Sequence, residues 1–427
     1  MIQVVLKSLA YIGLLCRLPP SRVRRWITRA VDLSTEPTIG APAVARQLLV
    51  DVSVIHWHDA GTGIQRVVRS VISHLKENPP QDYVVRGVVA RRNQNYQYQD
   101  TLGQEGAPHV EVRSGDIFFG LDLAAHLVPG RINQLMKWKL TGARLHFVVY
   151  DILPLTHPIY FTSPRIRHFR RWIRLLSIMA DSLLCISNSV QTDVQSWLKI
   201  NVGLPASELH TTVIPLGSNL PPENLRQLPS NSVIETLEKL KNRSWVLMVG
   251  TLEPRKCHAK VLDAFEKLWL HDAKLALVLV ARRGWQTKLL QDRIKQHAQL
   301  NQSLFWFQDA TDAELDLFYQ KTSGVLAASI AEGYGLPLTE ALDHQKSLLV
   351  RDIPVFRETA GTAAFYFTDD TPDALSYTLQ HWLSNTECIL RHSKKSVNTC
   401  SWADATTCMV QALGIVKAPP IARSNYS

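Results

Sequence analysis

GVLAASIAEGYGLPLTEAL, residues 324–342, is the stretch on which the reading of this chain turns. It opens on a short apolar run, GVLAAS (324–329), of the length expected for a buried strand. Glu332, Gly333, Tyr334 and Gly335 then read as a tight turn. Pro337 stands where the first residue of a helix is expected, a position at which its missing N–H costs nothing. Leu338, Thr339, Glu340, Ala341 and Leu342 continue that helix. Gly333 and Gly335 let the backbone approach a ligand closely. The new helix would present amides and a positive dipole end, which suits a diphosphate. Glu340 falls in the first turn of the predicted helix, placed to accept hydrogen bonds from vicinal hydroxyls such as those of a ribose. Glu332 precedes the turn and could reach a sugar beyond the diphosphate. An ordinary helix start accounts for Pro337 and Glu340, but not for Glu332 beside two glycines.

The same rhythm runs outward from this stretch. Apolar runs at 47–55, 145–152, 182–187, 245–250 and 275–281 read as buried parallel strands, and 65–75, 261–270 and 312–320 have helical spacing. Strands alternating with helices make parallel α/β sheets. Two such series are separated by PLGSNLPPENLRQLPSNS (215–232), a Pro/Asn/Ser-rich linker. The expected fold is therefore α/β, with two doubly wound Rossmann-like domains facing each other across a cleft. The amino-terminal domain is expected over 47–225 and the carboxyl-terminal one over 226–417, with the last helix free to pack back on the first domain. Residues 1–46 read as an apolar and basic membrane-surface segment, and 418–427 as a polar tail. Ligands of such sheets bind outside the carboxyl ends of the strands.

A chain of 427 residues exceeds one ordinary core, since domains run to roughly 100–200 residues. The hydrophobic fraction of 46% excludes disorder and a polytopic membrane protein. The net charge of +10 favours an anionic partner without choosing between nucleic acid, membrane and phosphorylated ligand. Cys16, Cys185, Cys257, Cys388, Cys400 and Cys408 are scattered, which fits reduced thiols in a cytosolic compartment better than a disulfide framework or a zinc site. No segment reaches the ~18–20 apolar residues of a spanning helix. Residues 2–16 are apolar but interrupted by Lys7, and the basic cluster follows them rather than preceding them, which argues against export. Arg22, Arg25 and Arg29, with Trp26 beside them, make one basic stripe at helical spacing. Arg167, Arg170, Arg171 and Arg174 make another. Each stripe fits a solvated face, an anionic lipid surface or nucleic acid. The apolar residues nearby favour the membrane, and no nucleic-acid module is present.

Glu332 and Glu340, eight apart with G-Y-G-L-P between them, resemble the E-x7-E signature of glycosyltransferase family 4, in particular its bacterial mannosyltransferase-like members of O-antigen and exopolysaccharide assembly. VLMVGTLEPRKCHAKVLDAFEKL (246–268), LVARRGWQTKLLQDRI (279–294), DAGTGIQRVVRSVISHL (59–75) and FVVYDILPLTHPIYF (147–161) resemble four further segments of the same group, in order. The resemblance implies the GT-B fold and a retaining transfer of a hexose. GDP-mannose is its first choice of donor. The acceptor would be a lipid-linked or growing cell-surface glycan, such as one carried on polyprenyl diphosphate. It implies that Arg255 and Lys256 neutralise the donor diphosphate. Glu332 would contact the donor sugar and Glu340 the ribose. Gly335 and Leu336 would offer amides to the phosphates, with Gly333 in the same turn. Gly61 and Gly63 would bind the donor, forming the loop that faces the donor phosphate and the acceptor from the opposite domain. Asp151 would line the acceptor side or merely cap a turn.

The chain also departs from the pattern. Cys257 stands where asparagine is frequent, Ala281 and Gln308-Asp309 where glycine is usual, and Tyr150 where a histidine often precedes the aspartate. No metal is required by this layout, and Asp369-Asp370 is an unpersuasive clamp. The expected location is cytoplasmic, peripheral on the inner face of the plasma membrane. The competing readings are a rhamnosyl or other hexosyltransferase with a TDP or UDP donor, a sugar-nucleotide epimerase of the same fold, and a non-catalytic scaffold in a polysaccharide assembly complex.

Overall fold

The computed structural model describes residues 8, 18–32, 45–105, 108–219, 227–271, 274–385 and 400–415. The apolar run expected over 2–16 lies outside the described residues save for Ser8, and the 418–427 tail lies outside them entirely. The chain divides into two compact units, one of Met1–Gly217 with Trp402–Ser427 and one of Ser218–Ser401. The division falls within the expected 215–232 linker, at 217/218 where 225/226 is expected, and residues from Trp402 onward belong to the first unit.

The sheet of the first unit has seven strands: β1 (Arg46–Asp51), β2 (Tyr83–Arg91), β3 (Gln94–Tyr98), β4 (Ile117–Gly120), β5 (Arg144–Val149), β6 (Ser182–Cys185) and β7 (His210–Val213). Their order is β3-β2-β1-β4-β5-β6-β7, parallel throughout except for β3 against β2. The run read as one strand over 47–55 breaks at Asp51, and Ser53–Trp57 is a short helix. The cause is local. The Asp51 carboxylate accepts the Ser53 amide at 2.9 Å and the Ser53 hydroxyl at 2.5 Å, which turns the chain out of the sheet.

The second unit holds six parallel strands: β8 (Trp245–Val249), β9 (Ala276–Val280), β10 (Leu304–Phe307), β11 (Gly324–Ala327), β12 (Ser347–Arg351) and β13 (Ala364–Phe367). Their order is β10-β9-β8-β11-β12-β13. Side chains alternate between faces with period two. Trp245 and Leu247 join Phe318, Leu338 and Ala341 in one layer, while Val246 and Met248 join Val261, Phe265 and Trp382 in the other. Helices therefore cover both faces, which is why these strands read as continuous apolar runs.

Helix starts are written into the sequence. Thr62 and Gln65 form a reciprocal capping box at Gly63–Glu77, and Thr311 and Glu314 form one at Asp312–Lys321. The helix Trp402–Ala412 packs against Gly63–Glu77, which ties the end of the described chain to the first unit. Strand order reverses between β1 and β4 in the first unit and between β8 and β11 in the second. Outside the carboxyl ends of the strands at such a reversal is where a doubly wound sheet leaves room for a ligand. Among the described residues, Cys185, Cys257, Cys400 and Cys408 are free thiols, and no helix is long and apolar enough to cross a membrane.

The exit of β8 is packed against the segment that follows β9. A Cβ at Gly284 would lie 1.9 Å from the Leu252 carbonyl oxygen, so backbone would have to move. Gly284→Ala should destabilise the protein by about 1–3 kcal/mol in urea unfolding, by overpacking. Gly130→Ala, where a Cβ would meet nothing within 4 Å, should leave the midpoint unchanged.

Candidate functional site

Two loops leave the second sheet side by side at the reversal, one after β8 and one after β11. The first begins at Gly250, with φ 134°, where a Cβ would lie 3.3 Å from Lys256 Nζ. The lysine side chain therefore lies over this glycine. The 3₁₀ turn Pro254–Lys256 follows, then Cys257 at φ 58° and the helix His258–Trp269. That left-handed conformation suits glycine or asparagine better than cysteine. It is the physical content of the departure at Cys257, whose buried thiol is shifted up by desolvation.

The turn carries Arg255 and Lys256 across to the β11 loop. Arg255 Nη1 donates to the Ala331 carbonyl at 2.8 Å and pairs with Glu332 Oε2 at 2.9 Å. Arg255 Nε lies 3.0 Å from Glu253 Oε2. Lys256 pairs with Glu332 Oε1, which also accepts the Ser329 hydroxyl at 2.7 Å. The Ile330 amide donates to the Arg255 carbonyl at 2.9 Å and ties the two loops together through the backbone. Two carboxylates and two cations thus share one small, largely buried volume. Burial alone would push the Glu332 pKa up. Arg255, then Lys256, together with hydrogen bonds from Lys256 and Ser329, override burial and hold it at about 2.

The helix after β11 runs from Leu336 to Asp343 and is capped by Gly335 at φ 105°, where a Cβ would come within 3.0 Å of the Phe356 ring. Pro337 is its second residue rather than its first, so Glu340 lies past the first turn and not within it. The proline lacks an N–H, and the Leu338 amide donates to the Gly335 carbonyl at 2.8 Å. Glu340 is buried, and its Oε2 accepts the Tyr319 hydroxyl at 2.6 Å. Lys256, Ser329, Glu332, Gly335, Pro337 and Phe356 border a common recess. Gly333 is buried in the turn beside it. The loops after β9 and β10 meet where Arg283 Nε donates to Gln308 Oε1 at 2.5 Å. Asp370 pairs with Lys260 at 2.8 Å and Arg351 at 2.6 Å, so it serves as an anion in a salt-bridge cluster.

Gly61, Gly63 and Asp151 belong to the first unit. The Gly61 amide donates to Asp59 Oδ1 at 2.9 Å, and Gly63 opens its helix. The loop is folded around one side chain. Gln65 Oε1 accepts the amides of Ala60 at 2.9 Å and Thr62 at 3.0 Å, while its Nε2 donates to the His58 carbonyl at 2.6 Å. Asp151 Oδ1 accepts the Leu153 amide at 3.0 Å, which is turn-capping geometry. Tyr150 is buried and donates to the Leu121 carbonyl at 2.8 Å, so it holds β5 against the loop after β4.

Sequence reasoning passes over Glu253, Ser329 and Tyr319. Glu253 carries a signal, a carboxylate two residues before Arg255 in a turn of cations. Ser329 and Tyr319 carry none, because only the fold brings them to their partners. It also passes over Asp51 and Asp122 at the reversal of the first sheet. Asp51 is fully buried, accepts the Tyr96 hydroxyl at 2.7 Å, and is raised to about 7 by burial and by Asp122.

The fold is of the GT-B class. HepE of Anabaena, solved with UDP and glucose, superimposes with a TM-score of 0.58 at 16% identity, covering 87% of this chain and 99% of HepE. Sucrose-phosphate synthase of Thermosynechococcus elongatus gives 0.61 at 14% identity, covering 86% and 98%. Residues 232–396 match the family described as glycosyl transferases group 1. The serotype-specific mannosyltransferase WbdA of Escherichia coli is 35% identical over 389 residues, which is 87% of this chain and 47% of WbdA. The chain spans about half the length of the curated relatives it matches at this level.

The lowered pKa of Glu332 sets a sign for the pH dependence. Its ion pairs contribute fully above the ordinary value of 4.5 and are lost as pH falls toward about 2. Urea unfolding between those limits should show wild type losing stability more steeply than Glu332→Gln, which has no carboxylate to protonate. Parallel slopes would mean that Glu332 is not ion-paired in solution.

Proposed function

We propose that the chain is a retaining glycosyltransferase that moves a hexose, mannose from GDP-mannose in the first instance, onto a hydroxyl of a lipid-linked or growing cell-surface glycan. The observation that carries the reading is the placement of Arg255, Lys256 and Glu332 at the strand-order reversal of a group 1 glycosyl transferase domain. Support for the sugar comes from the mannosyltransferase name of the relative at 35% identity.

Departure of a nucleoside diphosphate builds negative charge on a phosphate oxygen, and preorganised cations there stabilise the transition state. Arg255 and Lys256 are such cations, and Glu332 and Glu253 neutralise them within the protein. An incoming diphosphate replaces the Glu332 carboxylate as their partner. The freed carboxylate then accepts hydrogen bonds from hydroxyls of the donor sugar. Gly335 and Leu336 offer amides to the phosphates at the start of the helix Leu336–Asp343, and Glu340 receives the ribose. Gly61 and Gly63 belong to the acceptor side, while Asp151 serves by capping its turn. Exposed Arg22, Arg25 and Arg29, with Arg167, Arg170 and Arg171, would hold the enzyme on an anionic membrane surface where a polyprenyl-linked acceptor resides. Arg174 is excluded from that set, since it donates to the Leu18 carbonyl at 3.0 Å.

A thermal-shift panel of GDP-, UDP- and TDP-sugars tests the donor, since a bound ligand raises the melting temperature by mass action. GDP-mannose should give the largest shift, and a larger shift with a UDP- or TDP-sugar would overturn the choice. Arg255→Ala and Lys256→Ala should each raise the barrier to transfer by about 2–4 kcal/mol. Unchanged turnover in a radiolabelled mannose transfer assay would remove the diphosphate role.

A further inference from the structure

Two helices of the second unit are locked together by a cross-paired set of polar side chains, the buried Tyr319 and Glu340 and the half-buried Asp316 and His344. Asp316 and Tyr319 lie three apart on Asp312–Lys321 and share a face. Glu340 on Leu336–Asp343 and His344 at its end lie four apart. The Tyr319 hydroxyl donates to Glu340 Oε2 at 2.6 Å, and His344 Nε2 lies 2.8 Å from Asp316 Oδ1. His344 Nδ1 lies 2.8 Å from the Glu340 carbonyl oxygen. The rings of Tyr319 and His344 stack at 5.2 Å with an interplanar angle of 24°. Tyr319 is 0% exposed and Glu340 2%. Its phenol is thus held by a stacked ring whose two nitrogens are both engaged, and it approaches one chosen carboxylate oxygen.

We propose that Tyr319 is a positioning residue for Glu340, and that this gives the site its selectivity for ribonucleotides over deoxyribonucleotides. The proposal rests on the reading of Glu340 as the ribose partner. Stability alone does not require such a set, because apolar side chains of similar volume often replace a buried polar network at no loss. A cis-diol makes a sharper demand. Both hydroxyls must reach one carboxylate, so the plane of that carboxylate has to be fixed before the ligand arrives. The Tyr319 hydroxyl fixes it from the side of Asp312–Lys321. His344 holds Tyr319 in place and ties itself to the backbone of the residue being positioned.

The test is titration calorimetry of the full chain with GDP and with 2′-deoxy-GDP, run on wild type, Tyr319→Phe and Glu340→Gln. Wild type should prefer GDP by ~10-fold or more, the ratio expected for a hydrogen bond to a charged group. Tyr319→Phe should cut that preference several-fold while leaving the affinity for 2′-deoxy-GDP within about twofold of wild type, as expected when only the ribose bond is lost. A Tyr319→Phe protein that keeps the wild-type ratio overturns the positioning role if Glu340→Gln loses the ratio. If Glu340→Gln keeps it as well, the ribose reading of Glu340 is what fails. Should Tyr319→Phe not fold, His344→Gln takes its place, since it removes the stack and keeps the phenol. A ratio lowered at least twofold supports the proposal, and an unchanged ratio overturns it.

Discussion

Arg255 and Lys256 lie side by side in a largely buried volume, where two like charges repel and neither is fully hydrated. They stay there because Glu332 reaches both, and because Glu253 backs the arginine. Removing two ions from water costs several kcal/mol each, and only close, hydrogen-bonded partners offset it. Much of the local backbone serves that requirement. Gly250 makes room for the lysine chain, Cys257 takes a left-handed turn so that its two predecessors face β11, and the Ile330 amide ties the loops together. The parallel pairing of β8 with β11 places the two exits side by side. A site of this kind is balanced by its own carboxylates and is not a bare cationic patch.

Much of this was legible from residue order alone. The second sheet announces itself because its strands are buried on both faces and read as unbroken apolar runs. The turn GTLEPRKC and the turn AEGYGLP each combine a strand end, a glycine and charged residues within a few positions, which no ordinary core segment does. What could not be read is anything that depends on two distant segments meeting. Glu332 is visible as a lone carboxylate, but its pairing with Arg255 requires β8 and β11 to be neighbours. Tyr319 looks like one more aromatic on an amphipathic helix. Shorter or half-exposed strands such as β2, β3 and β7 lack a clean apolar run, and β1 ends early because Asp51 binds Ser53.

In the first unit a glycine-containing loop is folded around one side chain. Its amides at Ala60 and Thr62 converge on Gln65 Oε1, and the same side chain reaches back to the His58 carbonyl. One glutamine therefore does the work that several backbone contacts would otherwise share. Asp51 and Asp122 occupy the strand-order reversal, Asp51 held by the Ser53 amide and the Ser53 and Tyr96 hydroxyls, Asp122 by the Ile55 and Leu123 amides. That reversal is filled with hydrogen bonds to carboxylates, whereas the equivalent point in the second unit is filled with ion pairs.

The return of Trp402–Ala412 to the first unit has a bearing on how the protein is made. Synthesis is vectorial, and domains ordinarily fold as they emerge from the ribosome. Here the helix Gly63–Glu77 waits for a packing partner encoded more than three hundred residues downstream, beyond the whole of Ser218–Ser401. Until that segment emerges, the apolar residues that Trp402–Ala412 covers stay open. The nascent chain is therefore exposed to chaperones, and to premature association, for as long as translation of the second unit lasts.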